Sequence, residues 1–298
     1  MQSWRESRQR AAEMLISLIV TSYDRQSDLD RFTAGLAQQT FPGEIELIYV
    51  AQGNAVLVIP ASHCRISLKQ YSTGGLTALS KARNLGLAHV RGDIIGFPDD
   101  DCWYGPNVLA EVARYFHEHP EIGCVGTNVY DPDRKLAYGK RPVGVICDVT
   151  FRNLFQLPIS TGTFMRREAL GNIGAHFDER YGVGTDLGSG EETELVGRLL
   201  SSSQRVHYVG TIQVYHAVPD YSAPDANKSY RYGIGFGYLN GALLREGHVA
   251  VLFHLIEVLA RTSAGIALYC FSPAKRAVYL GRLRGTLVGL ARSVTRNG

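Results

Sequence analysis

Long uncharged runs are scarce in this 298-residue chain. The longest uncharged stretch near the end, Thr262 to Ala274, falls short of the roughly 18 apolar residues a spanning helix requires. The first fourteen residues, Met1 to Met14, are polar and charged. They hold no apolar core of the kind a secretory leader carries, so a cytoplasmic location is expected. Cysteine is sparse: Cys64, Cys102, Cys124, Cys147 and Cys270 are scattered without a C-x-x-C pair. That spacing excludes a disulfide framework and a four-ligand zinc site, and predicts reduced core thiols. Internal repeats and low-complexity tracts are absent, which excludes a solenoid and a disordered linker.

What is present suits an enzyme-sized globular chain, 45% hydrophobic and 20% charged, enough for one large α/β domain or two modest ones. Net charge is +3, but residues 241–298 carry eight Lys and Arg against two Glu, so the basic excess sits at one end.

Hydropathy patterning alternates strand and helix. Leu15 to Val20 reads as a buried strand; Ser27 is placed to cap a helix in which Leu29, Phe32 and Leu36 share a face; Ile45 to Ala51 reads as the next strand. A strand near Arg65 to Lys69, a helix from Leu76 to His89 and a strand Asp93 to Phe97 continue the pattern. Such alternation predicts a mostly parallel sheet covered by helices on both faces. From Val143 to His216 the pattern loosens, with a strand near Leu157 to Met165, a glycine-rich stretch Tyr181 to Gly190, a helix from Glu191 and a strand-like Thr211 to Tyr215.

Ligands of open parallel sheets bind at the carboxyl ends of the strands. After the first strand stand Thr21-Ser22-Tyr23-Asp24-Arg25, and after the fourth stand Pro98-Asp99-Asp100-Asp101. Three consecutive aspartates repel one another, and a divalent cation relieves that repulsion. Carboxylate oxygens suit Mg²⁺ or Mn²⁺, which can bridge to two phosphates of a nucleotide. Taken alone, the triplet also fits a solvated turn.

Gly92 to Asp101 resembles the Asp-x-Asp segment of family-two glycosyltransferases. In chain order, Ser17 to Arg25 resembles that family's first strand and nucleotide-binding turn, and Ser80-Lys81-Ala82-Arg83-Asn84-Leu85-Gly86 is similar to its Ala-Arg-Asn-x-Gly helix. Gly162 to Leu170 with Phe177-Asp178-Glu179 is similar to its acceptor-side segment, and Gly190-Glu191-Glu192-Thr193-Glu194-Leu195 to its Glu-Asp motif. The resemblance covers about residues 15 to 216. It implies a GT-A fold, an α/β architecture with a Rossmann-like, mostly parallel central sheet flanked by helices, here followed by a helical basic C-terminal extension.

The resemblance also implies roles. Asp99 and Asp101 would hold Mn²⁺ or Mg²⁺, with His216 as a third ligand, and Asp99 and Asp100 would face the nucleotide sugar. Glu192, a longer carboxylate where the family carries Asp, would be the base of an inverting transfer, with Glu191 binding the acceptor. Arg83 would approach the donor phosphates, and Thr21, Tyr23 and Arg25 the base and ribose. After the second strand, where many relatives carry Asp-Asp-Gly-Ser, this chain has Ala51-Gln52-Gly53-Asn54; Gln52 and Asn54 offer amide groups in place of the missing carboxylate.

The expected organisation is a polar extension at 1–14, a nucleotide-sugar half at 15–130, an acceptor half at 131–240 and a basic helical tail at 241–298. Leu280, Leu283, Leu287 and Leu290 recur at helical spacing among arginines, so this tail, joined by the apolar run Val249 to Ala260, is expected to lie on an anionic membrane surface or to pack on protein. Peripheral attachment at the inner face of the cell membrane would bring a lipid-linked or glycan acceptor within reach, as in cell-surface polysaccharide synthesis. Tyr230 to Gly237, rich in glycine, is expected to be a mobile loop near the site or a structural turn. A sugar-phosphate nucleotidyltransferase would need a glycine-rich loop after the first strand, and Thr21 to Ser27 has no glycine. A non-catalytic nucleotide- or glycan-binding module is the remaining alternative, and nucleic-acid binding lacks the aromatic platform it needs.

Overall fold

The computed structural model describes residues 13–218 and 225–295; the polar extension expected at 1–14 lies almost wholly outside them. A ten-stranded sheet forms the centre. Strands β1 (Leu15–Ser22), β2 (Glu44–Ala51), β3 (Arg65–Ser72) and β4 (Ile94–Gly96) run in the spatial order β3-β2-β1-β4, all parallel. The sheet continues from β4 through β9 (Thr163–Arg166), β6 (Ile122–Asp131) and β10 (Arg205–His216) to β5 (Cys102–Tyr104). In this half β9 is antiparallel to both neighbours and β10 is parallel to β6. The short β7 (Leu136–Ala137) and β8 (Ile146–Asp148) flank β6 and β10. The sheet is therefore parallel where the sequence alternates strand and helix, and mixed beyond it.

Helices α1 (Gln26–Ala37) and α3 (Val108–Glu118) cover one face; α2 (Leu79–Leu87), the short α4 (Arg167–Gly171) and α5 (Glu191–Ser201) cover the other. Residues of β1 alternate between the two cores: Ile16, Leu18 and Val20 pack toward α1 and α3, and Ile19 toward α2. A strand buried on both faces needs a nearly continuous apolar run, and in Leu15 to Val20 Ser17 alone interrupts it. Ser27 does not cap α1; Arg25 holds the cap position without a side-chain cap bond, its guanidinium being committed to the aspartates. The thiol expectation holds for Cys102 and Cys124, which are buried, whereas Cys270 is exposed.

A charge sits inside the parallel half of the sheet. Glu46 on β2 is fully buried beside its register partner Ser17 on β1. Ser17 Oγ donates to it at 2.5 Å, Arg91 Nε at 2.7 Å, and Lys69 Nζ lies at 2.8 Å. Burial works against the carboxylate, but these donors outweigh it and hold the pKa at about 2.

Helices α6 (Ala226–Arg245), α7 (Val251–Leu268) and α8 (Pro273–Thr295) close the chain. The expected loop at Tyr230 to Gly237 is instead the middle of α6. Gly233, Gly237 and Gly241 form a small-residue stripe against Gly285, Thr286, Gly289 and Ser293 of α8, so the two backbones meet at close range, while Gly235 lets the Leu187 and Ser189 carbonyls approach from the other side. The buried face of α8 is this stripe; Leu287 is exposed, and Leu280, Leu283 and Leu290 are partly so. By length and composition α7 could cross a membrane, though a third of it is buried against protein.

Candidate functional site

The carboxyl ends of β1, β2 and β4 open onto a cleft of about 1250 Å³. Thr21, Tyr23, Arg25 and Gln52 line one side, with Asp99, Asp100 and Asp101 at the centre and His216 beyond them. Thr21 pairs by a parallel backbone bridge with Asp99, which brings the turn after β1 against the aspartate loop. His216 arrives from the end of β10, whose register with β5 places it opposite Cys102, one residue past the aspartates.

Asp99, Asp101 and His216 each present a ligand atom within 4.8 Å of the others. The imidazole is fixed: Nδ1 lies 2.6 Å from the Ala217 carbonyl, which sets that nitrogen as donor and leaves Nε2 facing Asp101 Oδ1 at 3.1 Å. Two carboxylates and one imidazole nitrogen form a donor set that fits Mn²⁺ and Mg²⁺. Burial pulls the His216 pKa down, but the hydrogen bond and charge of Asp101, the Ala217 carbonyl and the Asp99 charge together outweigh that and raise it. Burial raises the Asp99 pKa against the pull of Arg83, and also raises that of Asp100. For Asp101, burial is outweighed by His216 and Arg25 and the pKa falls. Arg25 joins the outer two acids, at 3.1 Å from Asp100 and 3.1 Å from Asp101.

Behind the aspartates stands Arg83, only 1% exposed. Helix α2 carries it inward, where it donates to Asp99 at 2.8 Å, to Ser160 Oγ at 3.2 Å and to Glu191 at 3.3 Å. Glu191 and Glu192 open α5, whose N-cap position is Gly190 at φ +97°, a left-handed geometry that glycine adopts without strain. Glu191 is buried and Glu192 half-buried. The Glu192 pKa is pushed up to about 8, by burial first and by the Glu191 carboxylate second, with Arg83 opposing. Arg83, Glu191 and Glu192 are not part of the cleft wall; they connect to it through Asp99.

Gln52 is buried, and its Oε1 accepts the Thr77 backbone N–H at 2.9 Å. Asn54 donates its backbone N–H to Asp24 at 2.6 Å; Asp24 itself sits at φ +54°. Tyr23 is half-exposed at the mouth. The sequence reading brought together Thr21, Tyr23, Arg25, Gln52, the three aspartates and His216. It missed Tyr138, Lys228 and Thr77, which also line the cleft, and Ser160 beneath Arg83. Tyr232 belongs to the stretch singled out as close to the site, and it does line the cleft, from a helix. The Tyr138 ring stands edge-on to His216, 5.5 Å between centroids. No local pattern marks Tyr138 or Lys228; only the fold brings them here.

An open α/β sheet with an acidic, metal-competent cluster at its strand ends, continued by an antiparallel strand and a second half-sheet, defines a GT-A-like fold. The chain belongs to glycosyl transferase family 2, whose profile matches residues 17–174. Among solved structures, it is similar to the mannosyltransferase PcManGT from Pyrobaculum calidifontis in complex with GDP-Man and Mn²⁺, with a TM-score of 0.64 and 14% identity over 93% of this chain and 87% of that one. It is also similar to S. aureus TarS 1-349 in complex with UDP, with a TM-score of 0.55 and 16% identity over 96% of this chain and 93% of that one. Among curated proteins, an uncharacterized protein, y4gI of Sinorhizobium fredii, is 26% identical over 140 residues. The chain spans 15% of that relative's length, and the match takes in 44% of this chain.

Proposed function

We propose that this chain is an inverting, metal-dependent glycosyltransferase that moves a sugar from a nucleotide-diphosphate donor to a hydroxyl of a glycan or lipid-linked acceptor. The observation that supports it most is the continuity of the acidic network. A three-residue ligand set, Asp99, Asp101 and His216, is tied through buried Arg83 to a glutamate pair whose second member holds its proton near neutral pH.

Asp99, Asp101 and His216 would hold the cation, which when bound neutralises charge on the departing diphosphate. Thr21 and Tyr23 would flank the nucleoside. Gln52, whose carbonyl oxygen is committed to Thr77, offers its amide N–H₂ to the base. The known structures similar to this one include complexes with GDP-Man and with UDP-GlcNAc, so a GDP- or UDP-linked sugar is the donor class to test first. Glu192 would accept the proton of the attacking hydroxyl, a task for which a pKa near 8 is well matched to neutral pH. Glu191, held by Arg83, would orient the acceptor. Cell-surface polysaccharide synthesis is the role this chemistry serves best.

The test is nucleoside diphosphate release from a panel of nucleotide sugars, with Mn²⁺ or Mg²⁺ and with or without a lipid-linked acceptor extract. Metal-dependent release that vanishes in Glu192→Gln supports the proposal. Absence of release from every donor, together with absence of donor binding by calorimetry, would leave only the binding-module reading.

A further inference from the structure

Helix α7 has two unlike faces. Val251, Leu255 and Val258 are buried, with Leu255 and Val258 packing on Phe236 of α6. The opposite face is also apolar: Val249, Phe253, Ile256, Leu268 and Phe271 are between 61% and 98% exposed. With Ala260, Ala264 and Ala267, also exposed, they recur every three or four residues and so make one continuous stripe along the outside of the helix. An exposed apolar stripe of this length marks an interaction surface.

Its border carries mostly one sign of charge. The Arg152 guanidinium lies 4.8 Å from the exposed Phe253 ring, and Lys275 lies 5.2 Å from the ring of Tyr269 at the far end. Arg245, Arg261 and Arg276 are exposed on the flanking turns and helices, against the acids Glu246 and Glu257. Two copies meeting through this face would bring like charges together. An anionic bilayer complements both the stripe and its border: apolar side chains enter the acyl boundary while arginine and lysine stay at the headgroups.

We propose that α7 lies in the plane of an anionic lipid surface and docks the protein there through Phe253, Ile256, Leu268 and Phe271. Of the two stretches expected from the sequence to meet lipid, the α8 leucines and the run Val249 to Ala260, it is the second that offers the surface, because α8 spends its packing face on glycines of α6. The inner face of α7 stays on the protein, so the helix docks without crossing. Helix α6 also carries Lys228 and Tyr232 into the cleft, so docking would hold the cleft at a fixed height above the lipid surface. This inference is independent of the transfer chemistry.

The full chain is sedimented with vesicles of phosphatidylcholine alone and of phosphatidylcholine mixed with phosphatidylglycerol, at low and high salt, with no donor present. Binding to the mixed vesicles that weakens with salt is expected. It should fall at least about tenfold in Phe253→Glu/Ile256→Glu, as the loss of two buried apolar anchors requires, and also in Lys275→Glu/Arg276→Glu. Circular dichroism and melting temperature should stay unchanged, since all four side chains are exposed. No binding, equal binding to neutral vesicles, or binding indifferent to the variants overturns the proposal. So does a concentration-dependent dimer in light scattering that Phe253→Glu dissolves without any vesicle binding, which would assign the stripe to a second copy of the chain.

Discussion

Arg83 bridges the two acidic arms of the site, 2.8 Å from Asp99 on one side and 3.3 Å from Glu191 on the other. It is among the most deeply buried side chains of the protein. A buried cation between two carboxylates is a unit: removing it leaves Glu191 buried and unpaired and takes from Asp99 its nearest cation, at a cost of about 3–5 kcal/mol. Arg83→Met is therefore expected to lower the melting temperature sharply. Arg83→Lys restores the charge but cannot reach three acceptors at once, so it should fold and yet lose transfer activity by at least about 100-fold. Thermal melts and initial rates of the two variants separate the structural loss from the positional one.

Glu192→Gln is expected to reduce transfer by about 10²–10⁴-fold while leaving donor affinity intact. In the native chain kcat/KM should rise with pH, reach half its maximum near pH 8 and level off above it, as the base loses its proton. The same carboxyl carries a stability cost. Its folded pKa is raised above the unfolded value of 4.5, so the native state loses stability as pH climbs from 4.5 toward 8. Glu192→Gln should consequently melt higher than the native protein at pH 8 and no higher at pH 4. A flat difference across that range would show that Glu192 is not held protonated.

Mn²⁺ should raise the melting temperature by mass action, about 2.7 kcal/mol at one hundred times its dissociation constant. Asp101→Asn and His216→Ala are each expected to remove that shift, since each deletes one of three ligands. The raised pKa of His216 means protons compete for its ring, so apparent Mn²⁺ affinity should fall as the solution is acidified. Calorimetric titration at two pH values checks both statements.

Glu46 sets an acid limit on the fold. Its pKa of about 2 lies below the unfolded 4.5, so its contribution is present above pH 4.5 and is lost as pH falls toward 2. Glu46→Gln should be less stable at neutral pH by on the order of 2 kcal/mol, because hydrogen bonds to a charged acceptor become hydrogen bonds to a neutral one. Denaturant melts at pH 7 and pH 3 should show the gap narrowing in acid.

The parallel half of the sheet was readable because β1 and β2 are buried on both faces and are apolar along their centres save for Ser17 and Glu46, which pair with each other. Strand β6 was not, although its ten residues are almost all buried. Gly123 and Gly126, with Thr127 and Asn128 buried among them, interrupt any periodicity. The aspartate triplet could be named from sequence because it follows a strand, and His216, at the end of β10, through the family resemblance. The link from Arg83 to Glu191 could not, since 108 residues separate them and only the fold closes that distance. Tyr230 to Gly237 misled for a physical reason: glycine every second residue can signal a turn, and it can equally signal a helix that another backbone approaches closely.

That close approach yields the last prediction. An added Cβ on Gly289 would overlap the Ile234 carbonyl of α6, and one on Gly285 the Tyr230 carbonyl, contacts with backbone that no rotamer can relieve. In an isolated helix, glycine to alanine gains about 1 kcal/mol. Here the two helices would have to separate along a stripe packed throughout on small residues, at a cost of about 1–3 kcal/mol from overpacking. Gly289→Ala should therefore destabilise the protein, whereas Gly247→Ala, which meets no atom but sits at φ +90°, should be harmed by backbone strain alone. The two causes are separable: Asn, which tolerates the left-handed region, should rescue position 247 and worsen position 289. Since α6 also carries Lys228 and Tyr232, moving it away from α8 at Gly289 should raise the KM for donor as well, a change that Gly247 variants should not share.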